Sequence, residues 1–591
     1  MIHPKRLNRA MARGILHYPA LTMKISIFNC DGYSSKWDRA ERYSVYFFIF
    51  LAVITGFYYV HAFGVNLFWL DEWDTLPVMF EQYDAGTLTA AEFWELHNEH
   101  RVVFPKLVML GLGLLTNGNT VANMYFIEVL LLAILAVFIA AFQKQFTRGP
   151  AIWLMALIAF LVFSLRQYEN MLWGFQVGFV MVVAASLGAF LGLSRITIER
   201  YVSMFICAIF AATVATYSSV QGLLVWPVGL GQLLILSLTK KLKIILMTIW
   251  TIIGAGEWLV YFLDWVIPKY HPRLGFSWEY LMTLIGSSLT GNQTAALVAG
   301  IIVFISAATT VGIVLIRRQL SVQSFWLATM AFSSAALGAT TVGRSGFGAS
   351  VAMMSRYTTF SIPLVVATCV ILASQEGTKM IRICTSSMCA VLLGLSVIGT
   401  GMSFAIGLKV GEQVSEFRKW QQLVICTIDS QPDELIAVFP TPDVPRKYAA
   451  VLKRLKYNVF ADPDLCARCR LPDPSLPVLT ISTKCGIDGV AVMAHGGFVK
   501  ILGWAVDWPA RDVAGGVTVV IDGTTHQACY GLCNNNAVKN LKSDKYLISG
   551  FVCFVPAGEV RPGIHTISLK VLSRDNKAIF NVPEHFSFEL R

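Results

Sequence analysis

The chain has 591 residues, of which 55% are hydrophobic and 14% charged, with a mean hydropathy of +0.60. So large an apolar fraction excludes a soluble globular protein, which could not bury it, and indicates a polytopic membrane protein. The formal charge of +11 collects beside apolar runs and forms no nucleic-acid motif, so it reports membrane topology and attraction to anionic lipid, with no nucleic-acid partner.

In chain order, residues 1–43 form a basic cytoplasmic tail carrying Lys5, Arg6, Arg9, Arg13, Lys24, Lys36, Arg39 and Arg42. The tail is too polar for a signal peptide, and the first apolar run, Ser44–Gly64, lacks a small-residue cleavage site, so an uncleaved anchor is expected. Further spans are expected at Thr120–Phe142, Ala151–Leu165, Phe175–Ser194, Tyr201–Tyr217, Val220–Leu238, Ile244–Leu263, Thr294–Ile316, Ser324–Val342, Thr358–Ser374 and Cys384–Leu408. That makes about eleven, most near the ~20 residues a helix needs to cross ~30 Å. Lys144 and Arg148, Arg195 and Arg200, Lys240, Lys241 and Lys243, Arg317 and Arg318, and Lys379 and Arg382 all fall in alternate loops, on the side expected to face the cytoplasm. An odd number of spans then exports the C-terminal region. Charges within spans are scarce, Glu257 being the main exception, so a charged path through the bilayer is not indicated.

The expected outer loops hold the polar groups. The first, about 65–119, opens with LFWLDEWDTL and carries Asp71, Glu72 and Asp74, followed by His97, His100 and Arg101 in ELHNEHR. A loop that needs only solubility has no use for acids against the bilayer surface, where desolvation raises their cost. The same position suits a general base, because partial desolvation raises a carboxylate's pKa toward working pH. A second, very short turn, SLRQYENMLWGFQ, adds Arg166, Tyr168, Glu169, Asn170, Trp173 and Gln176. Later loops add Lys269, Tyr270, His271 and Arg273, then Arg344, Ser355, Arg356 and Tyr357. Arginine forks capture phosphate oxygens in pairs, and aromatic faces stack on sugar rings or sit at the lipid interface. Together these groups suit a pocket that holds a phosphate near a carboxylate and is reached sideways from the bilayer.

From Lys409 the apolar density falls. Residues 409–485, with PTPDVP and LPDPSLP loops, read as an exported α/β connector, and residues 486–591 as a small exported antiparallel β-sandwich. The sandwich fits a scaffold or a glycan-binding module. Seven cysteines, Cys426, Cys466, Cys469, Cys485, Cys529, Cys533 and Cys553, lie in this region, which favours an oxidising compartment, up to three disulfides and one cysteine left over. The CARC at 466–469 has knuckle spacing but no second ligand pair at zinc-finger distance.

An outer DE motif directly after the first span, H-x-E-H-R, a short WGFQ turn and a late SRY before a span together resemble bacterial polyprenyl-phosphate-sugar-dependent glycosyltransferases of the GT-C fold. That family includes O-antigen-modifying, aminoarabinose and mannosyl transferases. The resemblance covers about 44–408. It implies a mostly α polytopic bundle in the inner membrane, with a periplasmic C-terminal domain. It also implies inverting transfer of a sugar from a polyprenyl-phosphate donor to a glycan or lipid acceptor. By the same resemblance a first-loop carboxylate is the base, Asp71 or Glu72 with Asp74 third, while Arg356, with Arg344 or Lys269, neutralises the leaving phosphate. The roles of His97, His100 and Arg101 stay open between orienting the acceptor and holding the loop. The family has members with and without a divalent metal, so a divalent metal stays an open cofactor. Two other readings compete: an O-antigen polymerase or ligase, which the early acids disfavour, and a transporter or flippase, which the lack of an internal repeat disfavours.

Overall fold

The computed structural model describes residues 36–146, 152–266, 274–376, 378–430, 433–468, 475–479, 483–492, 497–532, 534–583 and 585–590. Residues 45–591 form one compact unit, separate from 1–44.

Among the described residues, eight helices are long and apolar enough to cross a membrane. They are α1 (Arg39–Phe63), α2 (Val121–Phe142), α3 (Gly174–Ser194), α4 (Lys240–Tyr261), α5 (Gln293–Ile316), α6 (Ser324–Phe347), α7 (Ser355–Ala373) and α8 (Lys379–Cys426). The other three expected spans are also helical but shorter: Trp153–Val162, Tyr201–Thr216 and Val225–Ile235. At 1.5 Å per residue even the longest of these covers only about 24 Å. Tyr201–Thr216 matches its expected run to within one residue, whereas the other two runs overstate their helices because 3-10 turns at Leu165–Gln167 and Val220–Leu224 take up part of them.

The bundle is organised around α7, which is 89% buried over its apolar window, against 22% for α4 and 28% for α1 and α8. Pro363 sits inside α7, and the hydroxyls of Thr358 and Ser361 donate to carbonyls in the turn that precedes it. The short helix Trp278–Gly286 lies against α5 so closely that a Cβ on Gly300 would stand 1.7 Å from the Met282 carbonyl oxygen. Small residues buy such close backbone approach between apolar helices.

α8 does not stop at residue 408. It runs on for 48 residues, about 72 Å, and its last turns enter the region expected to be a separate connector. There it meets two β-sheets. One has the order β1 (Cys485–Val492), β2 (Phe498–Asp507), β6 (Gly550–Pro556), β5 (Cys529–Leu532). The other runs from Val478–Leu479 through β8 (Ile579–Asn581), β7 (Gly563–Leu572) and β3 (Gly516–Ile521) to β4 (Thr524–Gln527), with β9 (Phe586–Leu590) on the first half of β7. The expected all-antiparallel arrangement holds except at the edge, where β8 pairs in parallel with Val478–Leu479.

Alternation explains both faces of the first sheet. Val499, Ile501 and Ala505 of β2 and Phe551, Cys553 and Val555 of β6 share a core with Val517, Val519, Ile567 and Leu569 of the second sheet. The intervening Phe498 and Phe554 turn the other way and pack on Phe417 and Trp420 of α8, with ring centroids 4.9 to 5.7 Å apart. Lys500 pairs with Glu416 beside them. The sandwich is therefore docked on the extension of α8.

Of the cysteines, Cys426 at the end of α8 is bonded to Cys466. Cys529 is a buried free thiol, and Cys469 and Cys533 lie outside the described residues. Cys466 of the CARC pair is thus a disulfide partner.

Candidate functional site

The chain turns sharply after α1. Leu70 adopts φ +44°, a left-handed conformation that costs a leucine about 1–2 kcal/mol, and Leu70–Glu72 then make a single 3-10 turn. Glu72 is the buckle of that turn. Its Oε2 accepts the main-chain N–H of Trp69 at 3.1 Å, and its Oε1 accepts the hydroxyl of Thr120 at the head of α2. Gly174 of WGFQ leaves room for this meeting, since a Cβ there would stand 2.7 Å from Glu72 Oε1. Glu72 is only 1% exposed, and burial pushes its carboxyl up to about 7 against the opposing pull of Thr120, the Trp69 N–H and Arg418. The sequence reading offers Glu72 as a rival base; the structure instead places it inside the turn, engaged with protein groups.

Asp71 stays open, its side chain 37% exposed, with Oδ2 3.6 Å from Nε2 of His97. The His97 ring lies 4.6 Å from Phe175, and its Nδ1 is 3.3 Å from the Thr75 hydroxyl and 4.0 Å from Asp74 Oδ1. The Nε2 that faces Asp71 is buried and makes no hydrogen bond. A donor or acceptor brought between the two would complete that pair.

Trp173 joins this turn to the SRY segment. Its indole N–H donates to the Trp69 carbonyl at 3.2 Å, the two indoles meet edge to face at 4.8 Å, and the Arg356 guanidinium lies over the Trp173 ring at 6.0 Å. Arg356 also lies 5.3 Å over Tyr357, which packs edge-on against Phe179. Glu169 fixes this arginine. Its Oε2 accepts the Arg356 main-chain N–H at 3.0 Å and the Ser355 hydroxyl at 3.1 Å, while its Oε1 is 3.6 Å from Arg356 Nη1. A carboxylate at the first turn of α7 also meets the positive end of the helix dipole.

The remaining expected residues divide by what they touch. Arg344 pairs with Glu99, whose Oε1 lies 3.5 Å from His100 Nε2. His100 accepts the Val220 main-chain N–H through Nδ1 at 3.2 Å, and burial pushes its imidazole down to about 4, so it is neutral near pH 7. Arg101 is 3% exposed and spends its guanidinium on main-chain carbonyls of Trp94, Tyr261 and Leu263. It clamps the loop to the end of α4, where orphan helix carbonyls need donors. Arg101 is thus engaged with main-chain carbonyls, and His100 with the Val220 N–H on one side and Glu99 on the other. Arg166 bonds to the Met353 and Thr290 carbonyls and lines a different cavity. Lys269 lies outside the described residues.

Partners of the site that residue type does not reveal are Glu169, Glu99 and Arg418. Glu169 and Glu99 were visible as acids but carried no assigned partner. Arg418 is 3% exposed, lies 4.6 Å over Trp69 and donates to the Leu172 carbonyl, yet it sits in what reads as an exported connector. The helical spacing of Val410, Val414, Phe417 and Val424, interrupted only by Gln421, is the signal that α8 continues. Glu128 of α2 is a second acidic residue within an apolar run, besides Glu257; it is fully buried, with a carboxyl oxygen close against Gly56. Glu257, the exception that was seen, accepts the Thr213 hydroxyl at 2.8 Å.

Among the described residues no three His, Cys, Asp or Glu side chains converge as a metal site. Compared with known proteins, the chain matches no protein-family profile and no curated protein.

Proposed function

We propose that the chain is a membrane glycosyltransferase that moves a sugar from a polyprenyl-phosphate donor to a glycan or lipid acceptor, with Asp71 as the general base. The observation that carries this is the contrast within one turn: Glu72 is sealed against Thr120 and Trp69, whereas Asp71 is open and faces the unbonded Nε2 of His97 at 3.6 Å.

On this reading the acceptor hydroxyl gives its proton to Asp71 as its oxygen attacks the anomeric carbon. The bond from that carbon to the phosphate oxygen breaks, and the electron pair leaves with polyprenyl phosphate. One displacement of this kind inverts the anomeric centre. His97, held by Phe175 and Thr75, positions Asp71 and can donate through Nε2 to the carboxylate or the acceptor. Trp69, the half-buried member of the indole pair, is the one that can pack on the sugar, with the buried Trp173 behind it. Arg356 stands at their far side, where negative charge grows on the leaving phosphate; its fork of five donors can serve both Glu169 and a phosphate oxygen.

The test is turnover of a lipid-linked sugar by the purified full chain in nanodiscs, followed as release of polyprenyl phosphate. The wild type releases it only when an acceptor is present. Arg356→Gln slows release by roughly 10²-fold, as expected for loss of a preorganised charge partner. Substrate flux across a proteoliposome membrane with no covalent product would replace this proposal with a transporter.

A further inference from the structure

A cavity of about 230 Å³ lies near this cluster, and none of Asp71, His97, Trp173 or Arg356 lines it. Two of its lining residues, Tyr168 and Met353, precede Glu169 and Arg356 by one and three positions, so it is a neighbour of the Asp71 cluster with walls of its own.

The upper wall is polar. Arg166 donates through Nη2 to the Met353 carbonyl at 2.6 Å and through Nε to the Thr290 carbonyl at 3.4 Å, which leaves Nη1 with no acceptor among the described residues. Ser288 also lines the cavity; it is 3% exposed, and its hydroxyl has no hydrogen-bond partner. No carboxylate lines the space. One cation with unused donors, a buried unpartnered hydroxyl and no acid make a wall complementary to an anion.

The opposite wall is one face of α8, with Met402, Ser403 and Ile406 at helical spacing. Met402 and Ile406 are 45% and 49% exposed on an apolar helix that is mostly unburied, so this wall continues onto the surface that faces lipid. The cavity is too small for a drug-sized ligand but takes a small headgroup whose tail lies outside it.

We propose that this cavity binds the phosphate headgroup of an anionic membrane phospholipid, with an acyl chain laid along Met402 and Ile406 of α8. The Arg166 Nη1 and the Ser288 hydroxyl donate to the phosphate oxygens. Basic pockets between membrane helices recognise lipid phosphates by this chemistry. The site is independent of the proposed sugar transfer and stands or falls separately from it.

The test uses the full chain in nanodiscs of equal phosphatidylglycerol and phosphatidylcholine, with retained lipid counted by native mass spectrometry. The wild type should retain one phosphatidylglycerol in preference to phosphatidylcholine, and Arg166→Gln should lower that retention roughly tenfold, as loss of a charge-assisted bond predicts. Met402→Trp, on the lipid-facing surface and away from the packed core, should lower it as well by obstructing the chain. Equal retention of the two lipids by the wild type would overturn the proposal. So would displacement by millimolar glycerol 3-phosphate, which would mark a site for free phosphate esters, or by polyprenyl phosphate at matched concentration, which would make the cavity part of the donor site. Should Arg166→Gln fail to fold, unchanged retention in Met402→Trp overturns it alone.

Discussion

Two neighbouring carboxylates, Asp71 and Glu72, meet opposite environments because a 3-10 turn points consecutive side chains in different directions. Glu72 points into the protein, where burial dominates its titration. While both folded and unfolded chains are protonated this costs nothing. As pH climbs past the ordinary carboxylate value near 4.3 the unfolded state ionises first, so folding stability falls until the buried group also ionises at about 7. At about 1.4 kcal/mol per pH unit between the two values, the penalty above pH 7 is on the order of 4 kcal/mol. Glu72→Gln keeps the acceptor for the Trp69 N–H and removes the charge. The difference between the thermal midpoints of Glu72→Gln and wild type should therefore widen in favour of the variant from pH 5 to pH 8. A difference that does not change with pH would show that Glu72 is not held as an unwelcome charge.

Among the elements, α8 is the one that ties the bundle to the C-terminal β-rich region. It presents Phe417 and Trp420 to the β-sandwich and Arg418 to Trp69 beside the Asp71 turn, so opposite faces of a single helical stretch touch the two regions. The connector that follows is fastened twice. Asn458 bonds to Asn66, Gly118 and the Phe68 main-chain N–H, all near the first loop, and the disulfide closes Cys426 on Cys466 across 40 residues. A loop of that length gives about 4 kcal/mol in the chain-entropy account of disulfide stabilisation. Reduction, or Cys466→Ser, should lower the thermal midpoint and expose the segment around Asn458 to protease. Equal melting of oxidised and reduced protein would contradict that role. These fastenings were illegible in the sequence: the cysteine bias toward the C-terminal third was plain, but which cysteine meets which depends on where α8 ends, and that end was set too early by a fall in hydropathy.

For the molecule as a whole, periodicity and apolar length gave the class, a helical membrane bundle followed by a β-rich region, because long apolar runs and period-two alternation are local properties of the chain. The eight long helices all overlap runs visible in the sequence, and two of the three short ones fall below their runs because hydropathy does not register the 3-10 turns at Leu165–Gln167 and Val220–Leu224. The candidate site was half legible. Asp71, Trp173, Arg356 and Tyr357 come together as residue chemistry suggests, while Arg101 and His100 turn out to be spent on backbone groups, a matter of three-dimensional partners that residue type cannot reveal. The central claim is that Asp71 is the base and Glu72 its structural support. It is tested most directly by single-turnover sugar transfer from a polyprenyl-phosphate donor in nanodiscs, comparing Asp71→Asn with Glu72→Gln at equal folded protein. Asp71→Asn should lose roughly 10²- to 10⁴-fold in rate, the usual worth of a positioned base, while Glu72→Gln keeps transfer within about tenfold of wild type. Transfer that survives Asp71→Asn and disappears in well-folded Glu72→Gln would contradict the assignment.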